Sequence, residues 1–208
     1  MPITAECATL VSAWEGLPDG DPTTVNLDPY MDPVGIWTIG YGRALRSAAT
    51  GRFLIGACDR RAAFAQYPGG ITKAQARSLL GADLGRFAAQ VTALAGQATP
   101  PQLDALVAFD FNTGHLAGST LLKLHLAAGP SGEKLGDSAI RALHATVIAK
   151  SLGRPASIRD AFAACSFAKG TFLGGLFCRR LAEWTLYRGA PAVEANAFGA
   201  HVRAVIAR

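Results

Sequence analysis

The chain has 208 residues, half of them apolar and only 17% charged, and carries a formal net charge of +5. Those proportions argue against a disordered segment and suit one globular domain, or one domain with two lobes. Fifteen of the 20 basic residues are arginine, and the positive surplus favours anionic partners: cell-wall polymers, nucleic acid or acidic lipid. Nucleic acid is the weakest of these, because there is no dense basic run, no zinc spacing and no basic helix beside heptads. No run of about 18 apolar residues predicts a membrane span. The opening Met1-Pro2-Ile3-Thr4-Ala5-Glu6-Cys7 lacks the basic start and apolar run of a signal peptide. Synthesis in a cytosol is therefore expected, with a separate route of release to any target outside the inner membrane. Cys7, Cys58, Cys165 and Cys178 are scattered, which favours free, mostly buried thiols over a disulfide. His115, His125, His144 and His201 share no spacing with other ligand types, so no metal and no cofactor is expected.

In chain order, a first helix is predicted from about Thr4 to Trp14, where Thr4 can cap it and Cys7, Leu10, Val11 and Trp14 fall on one face. Gly16 is a plausible stop, which leaves Glu15 at the helix end. Residues 17–34 are rich in Pro, Asp, Gly, Asn and Thr, the composition of loops and turns. Ile36 to Tyr41 reads as a short strand with Trp37, Ile39 and Tyr41 on one side and Ile36, Thr38 and Gly40 on the other. A small β region is expected to extend to about Phe53–Ile55. After Gly69-Gly70 the pattern turns helical. Thr72 and Gln75 form a capping box ahead of the stripe Leu79, Leu80, Leu84, Phe87 and Val91. Thr99-Pro100-Pro101-Gln102 opens another helix in the same way, ending at Asn112-Thr113-Gly114. Ser119 caps a short helix through Leu126, and further helices are predicted at about 133–150, 157–168, 173–188 and 193–206.

These elements predict an α+β fold, with a small N-terminal β lobe at about 16–60 and a larger helical lobe made of about 1–15 and 70–208. The active-site cleft is expected between the lobes of a single domain spanning 1–208. Glu15, Asp32 and Thr38 offer a proton donor, a carboxylate for water and a hydroxyl to orient that water, which is what hydrolysis of a glycosidic bond requires. Trp37 and Tyr41 have rings able to stack on sugars, although core packing serves them equally well. Asn112 reads as a helix-end cap or a substrate contact. The C-terminal helix, with His201, Arg203 and Arg208, reads as a packed helix before a membrane-touching one.

Together these residues resemble the phage-type lysozymes, the family 24 glycoside hydrolases. The resemblance is carried by Trp14-Glu15-Gly16, then by Tyr30-Met31-Asp32-Pro33-Val34-Gly35-Ile36-Trp37-Thr38-Ile39-Gly40-Tyr41-Gly42. It continues through Thr72 and Gln75-Ala76, Leu79-Leu80, Asp83-Leu84, Asp104 to Val107, Phe111 to Gly114, Ser119 to Lys123, and Gly175-Leu176 with Arg179-Arg180 and Glu183. The chain departs from the family pattern in four places. The stretch Leu17–Pro29 lengthens the interval between the acids and brings in Asp19, Asp21 and Asp28 as rivals to Asp32. Arg43 stands where the family has His, and Cys165 where it often has Trp. Residues 130–154 read as a helical insertion built on Ile140, Leu143 and Val147.

The resemblance implies a lysozyme-like fold and an endolysin-type muramidase that hydrolyses the β-1,4 bond between N-acetylmuramic acid and N-acetylglucosamine in peptidoglycan. Glu15 would be the acid, with Asp32 and Thr38 holding the water. Gly35, Gly40 and Gly42 would permit tight turns and close approach. Arg43 would replace the family's His contact to an acid, and Arg179 or Arg180 would pair with Glu15 or hold the lobes. Inversion is implied, with a carboxyl separation of roughly 6.5–9.5 Å. A monomer acting on the wall after release by a holin is expected, with no stable membrane insertion. A lytic transglycosylase and a non-catalytic peptidoglycan-binding module are the alternatives.

Overall fold

The computed structural model describes residues 2–207. Two compact units emerge, one made of Val11–Asp83, the other of residues up to Leu10 together with those from Leu84 onward. The divisions fall inside α1 (Ala5–Glu15) and α3 (Lys73–Ala95). Thr4 caps α1 as the sequence suggests, its Oγ1 accepting from the Glu6 amide at 3.1 Å. Its own amide donates to the buried Asp104 at 2.8 Å.

In the first unit, β1 (Tyr30–Met31), β2 (Trp37–Ile39) and β3 (Arg43–Ala44) form an antiparallel sheet in that order. Tyr30 faces Thr38 and Met31 faces Trp37, while Thr38 and Ile39 face Ala44 and Arg43 on the other side. Bridges at Ile36–Ile55 and Arg46–Phe53 carry the pairing on to the segment where the β region was expected to end. Leu27, Trp37, Ile39, Leu45 and Leu54 pack on Ala63 of α2 (Arg60–Gln66), on Ile71 just ahead of α3 and on Ala76 in its first turn. The expected alternation along β2 does not appear as in and out. Trp37, Thr38 and Ile39 are all buried, because this central strand is covered on both faces. The short helix α2 was not expected. It follows a 3-10 turn, Ala57–Asp59, and the Asp59 carboxylate folds this segment. That carboxylate accepts from Arg52 at 2.7 and 2.9 Å and from the Ile55 amide at 2.8 Å. Arg43 ties β3 to α3, its Nε and Nη2 donating to Asp83 at 2.9 and 2.7 Å.

In the second unit, α4 (Pro100–Thr113) opens with the Thr99–Gln102 capping box and closes at Gly114 in the left-handed region. The α5 helix (Thr120–Leu126) is capped by Ser119, and α7 (Ile158–Ala164) by Ser157. Helix α6 (Asp137–Ile148) lies within the insertion, burying Ile140, Leu143 and Val147. It packs on α9 (Ala192–Ile206), where Arg141 donates to the Val205 carbonyl at 3.2 Å. The central element is α8 (Gly174–Tyr187), which packs on α4, α7 and α9 and buries Phe177, Leu181 and Trp184. The helix expected over 157–168 stops at Ala164. There β4 (Phe167–Ala168) and β5 (Thr171–Phe172) form a hairpin, with Lys169 and Gly170 at φ 49° and 79°. A two-residue turn with both φ positive matches the twist of the strands it joins. All four cysteines are free, and Cys7 and Cys178 are buried. No helix among the described residues is long and apolar enough to cross a membrane.

Two outcomes follow for stability. The Arg52 hydrogen bond, then the Ile55 amide, hold the Asp59 carboxyl down to about 2, against roughly 3.9 in an unfolded chain. A depressed value stabilises the fold fully above the unfolded value, and that contribution is lost as pH falls through the folded one. Calorimetry from pH ~5 to ~2 should show a shallower fall in melting temperature for Asp59→Asn than for wild type; identical slopes would contradict this role. Arg43→Ala should cost about 1–2 kcal/mol in urea unfolding, and Arg43→Lys should recover less than half, because an ammonium cannot reproduce the two-pronged contact.

Candidate active site

Glu15 is the last residue of α1 and is half-buried, and Gly16 follows it in the left-handed region at φ 68°. The helix therefore delivers the carboxyl at the point where the chain leaves regular structure. The turn before β3 passes close beside it. A Cβ on Gly42 would stand 3.9 Å from Oε2 of Glu15, and Gly42 has a φ of +90° that other residues adopt only with strain. Glycine is thus demanded here by the backbone, and it keeps the space beside the acid open.

Asp32 follows β1 directly. Its Oδ1 accepts from the amides of Val34 and Ile36 at 2.9 and 2.8 Å. Its own amide donates to the Ile36 carbonyl at 2.9 Å, and the Gly35 amide donates to the Asp32 carbonyl at 2.9 Å. One oxygen of the carboxylate is thereby committed to closing the turn. Oδ2 has no hydrogen-bond partner among the described residues. Thr38 is buried, and its hydroxyl donates to the Ile36 carbonyl at 3.1 Å. With its proton used in that way, the oxygen presents lone pairs.

Tyr30 pairs with Thr38 across the β1–β2 ladder, and residues directly opposite each other share a face of the sheet. Asp32, two residues along, lies on the same side as Tyr30. Burial first, then the negative charges of Glu15 and Asp32, push the Tyr30 phenol above its ordinary value, against the opposing effect of the nearby Gly42 backbone. The phenol is therefore within electrostatic reach of both acids.

The other residues singled out in the sequence are placed as follows. Trp37 is buried, and its indole N–H donates to the Gly56 carbonyl at 2.8 Å, so its ring belongs to the core and has no free face for a sugar. Tyr41 is half-buried against the same core. The Gly40 backbone backs onto Ala76 of α3, and Gly35 sits in the Asp32 turn. Asn112 is exposed on α4 and accepts from Arg180 Nη2 at 2.6 Å. Arg179 and Arg180 are buried on α8 and each contacts Glu183 at 3.0 Å. The Arg180 guanidinium also lies 5.0 Å from the centre of the Phe109 ring.

The rival aspartates fold their own loop. Asp19 Oδ1 accepts from the amides of Asp21 and Asp28 at 3.1 and 3.0 Å. Asp21 Oδ1 accepts from the Thr23 amide and hydroxyl at 3.1 and 2.5 Å, and the buried Asp28 accepts from the Thr24 hydroxyl at 2.7 Å. Among the described residues, no three His, Cys, Asp or Glu side chains converge so as to hold a metal ion.

The chain is similar in fold to known lysozymes. A mutant of P22 lysozyme, in a crystal structure, is 22% identical, with 91% of this chain and 99% of that chain covered and a TM-score of 0.55. The active form of the P1 phage endolysin Lyz is 15% identical, with 89% of this chain and 84% of that chain covered and a TM-score of 0.51. No curated protein matches the chain. The family model described as phage lysozyme matches residues 23–139, more than half of the sequence. The match includes Asp32, Thr38 and the sheet that carries them, and Glu15 lies just ahead of it. The chain belongs to the phage lysozyme family.

Proposed function

We propose that the protein is an endo-acting muramidase that hydrolyses the β-1,4 bond between N-acetylmuramic acid and N-acetylglucosamine in peptidoglycan, with inversion at the anomeric carbon. The observation that carries this reading is the asymmetric fixing of Asp32, with one oxygen locked by two amides and the other open, beside a Thr38 hydroxyl that presents lone pairs. A water can give one proton to Asp32 Oδ2 and the other to Thr38 Oγ1. Its own lone pair is then directed at the sugar, and Asp32 takes the proton as the C–O bond forms. Glu15 gives its proton to the departing glycosidic oxygen on the opposite face. A lytic transglycosylase would have no water to place, and the Asp32–Thr38 pair would have no task.

Charge supports a polyanionic substrate. Residues 11–83 carry 7 Lys and Arg against 7 Asp and Glu, whereas the rest of the chain carries 13 against 8. The positive surplus thus lies wholly outside the unit that holds the three candidate residues, where it favours binding to an anionic wall without disturbing the acids. The biological role that fits is host-cell lysis by a phage, on the wall, after a separate pore-forming protein has given access.

Glu15→Gln and Asp32→Asn should each lower turnover on purified peptidoglycan by about 10²–10⁴-fold, with circular dichroism unchanged. Mass spectrometry of the muropeptides from wild type should show reducing muramic ends. Near-normal turnover by Glu15→Gln, or anhydromuramic ends from wild type, would overturn the reading.

A further inference from the structure

We infer that the groove between the end of α6 and the β4–β5 hairpin seats the protein on a bilayer surface rich in acidic phospholipid, with Lys150 and Lys169 on the headgroup phosphates and the apolar floor against acyl chain. The contact is peripheral and does not span the bilayer. It stands apart from the muramidase reading, since Glu15, Asp32 and Thr38 take no part in it.

The groove encloses about 320 Å³. Its floor is Val147, Leu152, Ala164 and Phe167, and the rest of its lining is Lys150 and two glycines. Four of these seven residues lie within 130–154, so the insertion builds this surface as well as packing on α9. Leu152 and Phe167 are half-buried, and Ile148 and Leu173 in the same stretch are exposed, so apolar surface faces solvent here. Among the described residues, no lining side chain carries a carboxylate, a hydroxyl or an amide. A glycan strand would give up its hydration in such a groove and find nothing to replace it. An acyl chain has no such loss, and its burial is favourable.

Charge selects an acidic lipid. Residues 145–173 carry Lys150, Arg154, Arg159 and Lys169 against Asp160 alone, and Arg159 pairs with Asp160 at 2.8 Å. The other three cations have no carboxylate of their own stretch to balance them. Lys150 leans over the groove, its Nζ 5.3 Å from the centre of the Phe167 ring and 3.5 Å from the Gly170 carbonyl oxygen. Cations beside exposed apolar side chains are what the headgroup region of an anionic leaflet attracts.

The backbone gives an independent sign. At the end of α6 the Lys150 amide donates to the Val147 carbonyl at 2.9 Å and the Ser151 amide to the Thr146 carbonyl at 3.1 Å. In this paired closure the left-handed residue is usually glycine, and here it is Lys150 at φ 53°. Lys169, at φ 49°, opens the hairpin turn at a position that favours asparagine. Among the described residues 15 glycines take positive φ and only three other residues do, two of them these lysines. The chain fills such positions with glycine elsewhere. It keeps strained cations at one residue that lines the groove and at one beside Gly170, which also lines it.

The full chain should sediment with vesicles of mixed phosphatidylglycerol and phosphatidylcholine and not with phosphatidylcholine alone. Combining Lys150→Asn with Lys169→Asn removes both charges and eases both backbones. Its partition to the mixed vesicles should fall about 10-fold, with a melting temperature equal to or above that of wild type. Leu152→Gln keeps the charges and spoils the floor, and should lower the same partition about 5-fold. Both variants should hold kcat on soluble peptidoglycan fragments within about 2-fold of wild type, so a failure of the muramidase reading is seen separately. Equal sedimentation with the two kinds of vesicle overturns the inference, and so does wild-type partition of the double lysine variant. Wild-type partition of Leu152→Gln would mean attraction by charge without the groove, and overturns it as well.

Discussion

Oδ1 of Asp32 accepts two backbone amides, from Val34 and Ile36, and so closes the turn that reverses β1 into β2. Everything that gathers around the candidate site depends on that small ring of hydrogen bonds. It fixes the hairpin register, and the register sets Tyr30 opposite Thr38 and Thr38 opposite Ala44. It holds the carboxylate still without using up its second oxygen. A side chain that is both a turn residue and a reactive group usually has to compromise, because a fully satisfied carboxylate has nothing left to offer a water. Here the two oxygens divide the tasks. The same arrangement explains why Gly35 falls where it does, since its amide and left-handed backbone complete the turn.

The long connection between Glu15 and Asp32 looks at first like a threat to that geometry. Its own aspartates remove the threat. Asp19 gathers the amides of Asp21 and Asp28, Asp21 holds Thr23, and Asp28 is pinned by Thr24. The loop is further bound to itself at Gly20, whose amide donates to Asp28 at 3.2 Å. A Cβ there would come within 2.0 Å of the Pro29 carbonyl oxygen. Extra length in a self-satisfied loop costs little closure entropy, so the insertion can be accommodated while Asp32 keeps its place after β1. Arg43 works in the same direction from the other side of the sheet. Its guanidinium grips Asp83 with two bonds and fastens β3 to α3.

Much of this was legible in the sequence because local chemistry agreed with the fold. The Thr99–Gln102 capping box, the Ser119 cap and the Gly16 stop each marked a boundary that the structure keeps. Spacing to Gly35 and Thr38 favoured Asp32 over three nearby aspartates, and the loop hydrogen bonds are consistent with that choice. What was not legible depended on tertiary burial. Trp37 and Tyr41 were equally good as sugar platforms or core residues, and only packing around β2 put the Trp37 ring inside. Arg179 and Arg180 were read as partners of Glu15 or as ties between the lobes; what the sequence does not show is that, with Glu183, they form a buried cluster on the central helix α8. The β4–β5 hairpin escaped because Phe162 to Ala168 is apolar enough to continue a helix. Only the Lys169-Gly170 turn, with both residues at positive φ, shows why it does not.

The central claim is that water, placed by Asp32 and Thr38 on the face opposite Glu15, is the nucleophile. The anomeric configuration of the new reducing end tests it most directly. Proton NMR of a soluble peptidoglycan oligomer, recorded during cleavage and before mutarotation, should show the α-anomer appearing first, the result of a single inversion of the β-linked bond. A β-anomer appearing first, or a 1,6-anhydro product, would contradict the account.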